Sequence, residues 1–356
     1  MRAGRSIRTL GPFLAGLALA TTAAAQDRPI HREKLEYDPA SAAWVQEPPP
    51  VPGTPDGNLR LARGAFADGD LRGAGRRVRK WIQAYGQGHE LYPQIAILRA
   101  EVAVSRRDYY KAHKHLQQFL NEFAGTELAV RAAELEFVIA EVFLSGTRRK
   151  FLGLRILKAD DIAISILDDL TTNYPEANLG ERAVKTKADY YFRQGDFSLA
   201  EMEYAQIVKD FPRSRYIRYA MRRSADAALA SFTGIRFDDA PLIEAEERYR
   251  DYLVGYPGSG EQEGIGLILQ DIRSQRAAKE FEIGRYYERT GHNRAAAFYY
   301  RSTIDHWADT IAASRAQERL GRLAPEDSAR PGRVPPVEEP PPPTMREEML
   351  REERNP

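Results

Sequence analysis

The side chains with the strongest claim to chemistry are six histidines: His31, His89, His113, His115, His292 and His306. A metal centre needs ligands that converge. His113 and His115, two positions apart on a helical stretch, would point about 200° apart and could not share one ion. His306 sits between Asp305 and Trp307, where an exposed place in a last helical turn accounts for it. The acidic doublets Asp160-Asp161, Asp168-Asp169 and Asp238-Asp239 could in principle pair for acid–base work. They fall at helix starts or on solvated faces, and the helix dipole is reason enough for the first and third. The chain contains no HExxH, Gly-x-Ser-x-Gly, phosphate-loop or dinucleotide motif. It also has no cysteine, which removes disulfides, thiolate nucleophiles, cysteine zinc sites and iron–sulfur clusters. No catalytic residue, metal or cofactor is expected; the chain reads as a non-enzyme.

The elements that carry these residues are helical hairpins. In YYFRQGDFSLAEMEYAQIVKDFPRS, residues 190–214, one helix ends at Gly195-Asp196 and a second runs to Phe211. Asp196 is the expected N-cap, its carboxylate accepting free N–H groups of the first turn. Pro212 stops the helix, having no N–H and a ring that clashes with the preceding turn. Ala200, Tyr204, Ile207 and Phe211 lie on one face. The same register recurs as Ala74, Val78, Trp81, Tyr85; as Ala112, Leu116, Phe119, Phe123; and as Ala163, Leu167, Leu170, Tyr174. Two further copies are Ala245, Tyr249, Tyr252, Tyr256 and Ala296, Tyr300, Ile304, Trp307. In all six an aromatic stands eleven residues after the alanine, and Pro175, Pro212 and Pro257 follow three of those aromatics. The alanines recur at intervals of 38, 51, 37, 45 and 51 residues, which fits a hairpin repeat of about 34 residues with insertions. The alanine lets the partner helix approach, and the aromatic is expected to plug the gap to the next repeat. Gly and Pro punctuate the helices at hairpin intervals, which a coiled coil would not tolerate.

The expected layout is an all-α, tetratricopeptide-like solenoid of about six hairpins over 58–323, with Ile311–Leu323 as a capping helix. Residues 1–25 read as a signal peptide. Arg2, Arg5 and Arg8 precede an apolar run to Thr22, and Ala23-Ala24-Ala25 suits cleavage between Ala25 and Gln26. Residues 26–57 are Pro-rich and expected without regular structure, as is the Pro-rich, charged tail 324–356. Export from the cytoplasm follows. So does the expectation of no lipid anchor, because no cysteine is available to carry one.

Charge excludes little but guides the rest. With 52 basic and 51 acidic side chains, overall basicity does not recruit nucleic acid. Arg76, Arg77, Arg79 and Lys80 cluster on one helix, and Arg213, Arg215, Arg218, Arg222 and Arg223 surround the turn after Pro212. Both could bind an acidic partner surface or anionic lipid headgroups, but solvated repeat faces are the commoner reading of such charge runs. The insertion SGTRRKFLGLRILK, residues 145–158, joins Arg148, Arg149, Lys150, Arg155 and Lys158 to Phe151, Leu152, Leu154, Ile156 and Leu157. It reads either as a basic, apolar contact for a membrane or partner, or as a long loop closing its hairpin.

These features together resemble the BamD family, the periplasmic scaffold subunit of the outer-membrane β-barrel assembly machinery. The resemblance is sharpest in residues 190–227 and in AAKEFEIGRYYERTGHNRAAAFYYRSTIDHWADT, residues 277–310. It implies a non-catalytic scaffold peripheral to the outer membrane. Such a scaffold holds a BamA-type barrel insertase through its C-terminal half, and its N-terminal half is associated with unfolded outer-membrane protein segments. Members are typically tethered through an N-terminal cysteine, which this chain lacks. An envelope adaptor of the Tol-Pal and peptidoglycan type is the alternative; those often carry a coiled coil that residues 26–57 do not supply.

Overall fold

A computed structural model describes residues 35–38, 43–46, 49–151, 154–175, 178–236 and 238–323. The expected signal peptide, the Ala25–Gln26 junction and the tail from Ala324 lie outside the described residues.

Residues up to Val51 form one compact unit and those from Pro52 a second. In the first, β1 (Leu35–Asp38) pairs antiparallel with β2 (Ala43–Gln46), Leu35 opposite Gln46 and Asp38 opposite Ala43. This departs from the expectation of no regular structure over 26–57. The strands draw on Tyr37, Trp44 and Val45, good strand formers, and stop before the prolines from Pro48 onward.

The second unit starts with α1 (Pro55–Ala67), α2 (Leu71–Tyr85), α3 (Tyr92–Ser105), α4 (Tyr109–Phe123) and α5 (Glu127–Leu144). Two short strands follow, β3 (Arg149–Phe151) and β4 (Leu154–Leu157). Then come α6 (Asp160–Asn173), α7 (Leu179–Gln194), α8 (Phe197–Asp210), α9 (Ile217–Ala230) and α10 (Ala240–Gly255). The short α11 (Pro257–Gln262), the long α12 (Ile265–Arg289), α13 (Asn293–His306) and α14 (Ile311–Leu320) are the last helices among the described residues. Helices pair as α1–α2, α3–α4, α5–α6, α7–α8, α9–α10 and α12–α13; consecutive hairpins pack on one another, and α14 covers α12 and α13. This is a tetratricopeptide-like solenoid of six hairpins with a capping helix.

Local chemistry fixes the helix ends. Thr54 accepts the N–H of Gly57 at 3.0 Å and Pro55 occupies the first helical turn, so α1 opens three residues before Asn58. Hairpin turns reuse one device. Gly195 and Gly291 take left-handed backbone, and the next residue's N–H reaches back five residues, Asp196 to Tyr191 at 3.0 Å and His292 to Tyr287 at 2.9 Å. Arg107 adopts the same conformation (φ 55) without glycine's freedom, and Asp108 bonds to Ala103 in the same way at 2.9 Å. Asp196 does stand at the N-cap of α8, but its side chain makes no capping bond. Asp70 does cap α2, accepting from Gly73 at 2.8 Å. Replacing Asp70 with alanine is therefore expected to lower stability by about 1 kcal/mol, and Asp196→Ala by under half that. Amide exchange at the first turns of α2 and α8 reads the difference; equal protection losses would refute it.

The insertion at 145–158 is a strand pair, Phe151 opposite Leu154, with β3 against α4. The backbone over β3 and β4 is thus regular, where the sequence suggested an amphipathic run or a long loop.

The six signature alanines, Ala74, Ala112, Ala163, Ala200, Ala245 and Ala296, are all 0% exposed. One register differs from expectation. Thr303, not Ile304, takes the buried seventh position after Ala296, its hydroxyl donating to Tyr299 O at 2.8 Å. The aromatics also do something other than plug the next repeat: several fold back onto the first helix of their own hairpin. The Tyr85 hydroxyl accepts from Asn58 at 2.9 Å and donates to Gly53 O at 2.7 Å. Phe123 meets Tyr92 at 6.1 Å between centroids, Phe211 lies against Gly180, and Trp307 Nε1 donates to Glu280 at 2.6 Å. Tyr174, Phe211, Tyr256 and Trp307 share one C-cap backbone, with φ of −132, −124, −140 and −131. A following proline disfavours helix at three of them.

Apolar packing divides unevenly. One continuous core runs from Leu59 to Tyr190, spanning α1 to α7. Beyond it lie three smaller cores: α7 to α9, α9 to α12, and α12 to α14.

Candidate functional site

Where the large core ends, polar pairs take over the joints. The buried fourth position after the signature alanine is Val78, Leu116 and Leu167 in the first three hairpins but Tyr204, Tyr249 and Tyr300 in the last three. Each tyrosine donates to a carboxylate on the first helix of its hairpin. Tyr204 reaches Asp189 at 2.6 Å, Tyr249 reaches Asp226 at 2.7 Å, and Tyr300 reaches Glu288 at 2.5 Å. Burial, then the acceptor carboxylate, holds all three phenols above the ordinary range, so they remain donors at any physiological pH.

Two of these carboxylates also reach the next element. Asp189 also accepts from Tyr219 of α9 at 2.7 Å, and Glu288 pairs with Arg319 of α14 at 3.4 Å. Arg248 of α10 bonds Glu201 of α8 at 2.6 Å, and Arg276 of α12 pairs with Glu246 of α10. Lys187 of α7 bridges Asp168 of α6 at 2.5 Å and Glu203 of α8 at 2.8 Å. Burial pulls the Lys187 ammonium down, but those two carboxylates outweigh it and its pKa ends above the usual lysine value. The tyrosine substitution at one register was the available sequence signal for this ladder; its acidic partners sit 12 to 23 residues away and only helix packing identifies them.

This ladder absorbs four of the five arginines after Pro212, leaving Arg213 exposed. Arg218 donates to Ser259 at 3.0 Å, Arg222 to Glu263 at 3.2 Å, and Arg215 lies 4.0 Å from Glu181. Arg223 stacks on Phe192 at 3.7 Å and pairs with Asp226 at 3.5 Å. They bind neighbouring hairpins. Arg72, Arg76, Arg77, Arg79 and Lys80 of α2 differ: all are exposed, α2 contains no acid, and none has an ion-pair partner among the described residues.

The described histidines engage neighbouring groups of the fold. His113 Nδ1 lies 2.9 Å from Glu136 Oε2, and burial raises the Glu136 carboxyl while His113 opposes the rise. Burial, then Arg99 and Lys111, draws His115 down to about 4, so it is neutral in a shallow recess formed by Tyr92, Arg99, Gln118, Phe119 and Glu122. His89 Nδ1 accepts from Leu91 at 3.1 Å, His292 is the N-cap residue of α13, and exposed His306 lies 3.1 Å from Ser302. His31 lies outside the described residues. Among the described residues no cluster could hold a metal ion, and no helix is long and apolar enough to cross a membrane. Of the insertion residues, Arg148 is exposed; the side chains of Arg149, Lys150, Phe151, Leu154 and Arg155 lie outside the described residues.

Residues 156–324 match the YfiO family, described as an outer membrane lipoprotein. The outer membrane protein assembly factor BamD of Caulobacter vibrioides is 21% identical over 161 residues, covering 45% of this chain and 52% of that protein. The chain thus spans about half the length of the relative it matches. Over that half it is BamD-like.

Two solved structures share looser similarity. A tetratricopeptide repeat protein from Parabacteroides merdae is 11% identical at a TM-score of 0.35, covering 75% of this chain and 97% of its own. PilW, a type IV pilus biogenesis factor, is 14% identical at a TM-score of 0.30, covering 75% and 100%. At those scores neither bears on function.

The BamD-like half also presents most of the exposed apolar surface. Val254 (84% exposed) and Leu267 (73%) flank α11, Met202 projects from α8, and Ile311 (75%) opens α14. Across α1 to α4 no large hydrophobic side chain is exposed. Isolated apolar residues are ordinary on a surface, but a pair this exposed beside a short, Gly-rich connecting helix suits a docking partner.

Proposed function

We propose that this chain is a non-catalytic scaffold in the periplasm, peripheral to the outer membrane. On this reading it holds a BamA-type barrel insertase through its C-terminal half and assists insertion of outer-membrane β-barrel proteins, receiving their unfolded segments along its stacked hairpins. One observation carries the reading: the BamD-like stretch, residues 156–324, coincides with the part of the solenoid that exposes Met202, Val254, Leu267 and Ile311. A hairpin stack suits this work because it offers a long surface of many shallow contacts.

A photo-crosslinking residue at Val254 or Leu267, in cell envelopes, is expected to capture a BamA-type insertase. The same probe at exposed Gln118 of α4 is expected to capture none. The double substitution Val254→Glu, Leu267→Glu should cut insertase recovery about tenfold, equivalent to ~1.4 kcal/mol of binding. Recovery of Tol or peptidoglycan-synthesis proteins in place of an insertase would overturn the reading.

A further inference from the structure

The nearly neutral total hides a segregation of charge. Between residues 52 and 123 there are twelve Arg and Lys against seven Asp and Glu; between 124 and 323 there are 29 against 31. The described basic excess therefore belongs to the first two hairpins. Its densest part is α2, where Arg72, Arg76, Arg79 and Lys80 follow at i, i+4, i+7 and i+8 and so form one stripe about 100° wide. Arg77 stands on its flank, and Arg106, at the end of α3, approaches α2 closely at Gly75. The acids nearest in sequence, Asp68 and Asp70, lie before the stripe, and Asp70 is engaged as the helix cap.

We propose that this stripe of α2 docks on the anionic phospholipid headgroups of a bilayer. Two features favour a bilayer over an acidic protein. Protein interfaces rely on buried aromatic, Met and apolar anchors, and α1 to α4 expose none of them. The stripe also consists of long, solvated cations free to follow a fluid array of phosphates, each adding about 1 kcal/mol near an anionic surface. The contrast with α9 is physical: there the arginines are committed to carboxylates and a phenyl ring, whereas on α2 they are free to exchange water for phosphate. Choosing lipid over nucleic acid rests on the outer-membrane reading above.

The test is co-sedimentation of the full chain with vesicles of phosphatidylcholine alone, or with phosphatidylglycerol at about one part in three. Binding is expected to the anionic vesicles only and to fall steeply with salt. The variant Arg72→Gln, Arg76→Gln, Arg79→Gln, Lys80→Gln should lose at least about a hundredfold in partitioning, at roughly fivefold per cation. A control carrying Arg289→Gln, Arg294→Gln and Arg315→Gln, also exposed, should bind as the parent does. Equal binding to neutral vesicles, undiminished binding of the four-site variant, or stripe-dependent binding to DNA or polyglutamate without vesicle binding would each overturn the proposal. Insertase capture at Val254 and Leu267 reads the other end of the molecule, so failure of either proposal is recognised separately.

Discussion

Raising the pH above about 10 is expected to unfold the last three hairpins by a route that removal of three hydroxyls closes. Tyr204, Tyr249 and Tyr300 are at most 1% exposed, and each donates its phenolic proton to a carboxylate. Their folded pKa values lie above the unfolded value, so their contribution is complete below about pH 10 and is lost as pH rises, when the unfolded chain releases protons the fold retains. Each protected phenol then costs about 1.4 kcal/mol per pH unit, and the three together about 4 kcal/mol per unit. Stability measured by circular dichroism between neutral and strongly alkaline pH should fall at least that steeply, because burial also holds Tyr190, Tyr219 and Tyr252 above the ordinary range. The triple variant Tyr204→Phe, Tyr249→Phe, Tyr300→Phe should begin less stable at neutral pH yet flatten the alkaline limb. An alkaline limb of unchanged steepness in the variant would refute the assignment.

The second large effect is at Gly284 of α12. A Cβ built there would stand 2.7 and 2.8 Å from ring carbons of Tyr300, inside van der Waals contact, and the ring cannot withdraw because its hydroxyl is tied to Glu288. Helix propensity pulls the other way, favouring alanine over glycine by about 1 kcal/mol. Overpacking a rigid contact costs about 1–3 kcal/mol. Gly284→Ala should thus be mildly destabilising, and Gly284→Leu should detach α13 from α12 with a loss of about 3 kcal/mol or more. Amide exchange would report this as early exposure of α12 to α14 while α1 to α7 stay protected. A Gly284→Leu variant as stable as the parent would mean that the helices do not approach as described.

Much of this architecture is legible in the sequence. Small and large residues at fixed helical spacing are a packing requirement written once per hairpin, so the alanine-to-aromatic register identifies six hairpins and their cores. It is less informative where two residues compete for one face. Thr303 wins over Ile304 because its hydroxyl can be satisfied by the preceding turn, which periodicity of hydrophobic residues does not register. The direction of the aromatics, the closeness at Gly284 and the pairing of Tyr249 with Asp226 depend on how two helices cross, and no local pattern encodes that. Charge behaves similarly. The arginines of α2 and of α9 look alike as strings, yet one set lies beside carboxylates from neighbouring hairpins and the other faces water.

The division of the core has a mechanical consequence. Helices α1 to α7 share one large apolar interior, whereas the later helices pack around three small ones, with ion pairs reinforcing the joints. Under tension from the C-terminal end, such a chain yields in steps, α14 first and then one hairpin at a time. Each release is small and salt-softened, until the pull reaches a block that must let go at once. A partner gripping the C-terminal half would hold the compliant part of the molecule, with a stiff shaft behind it.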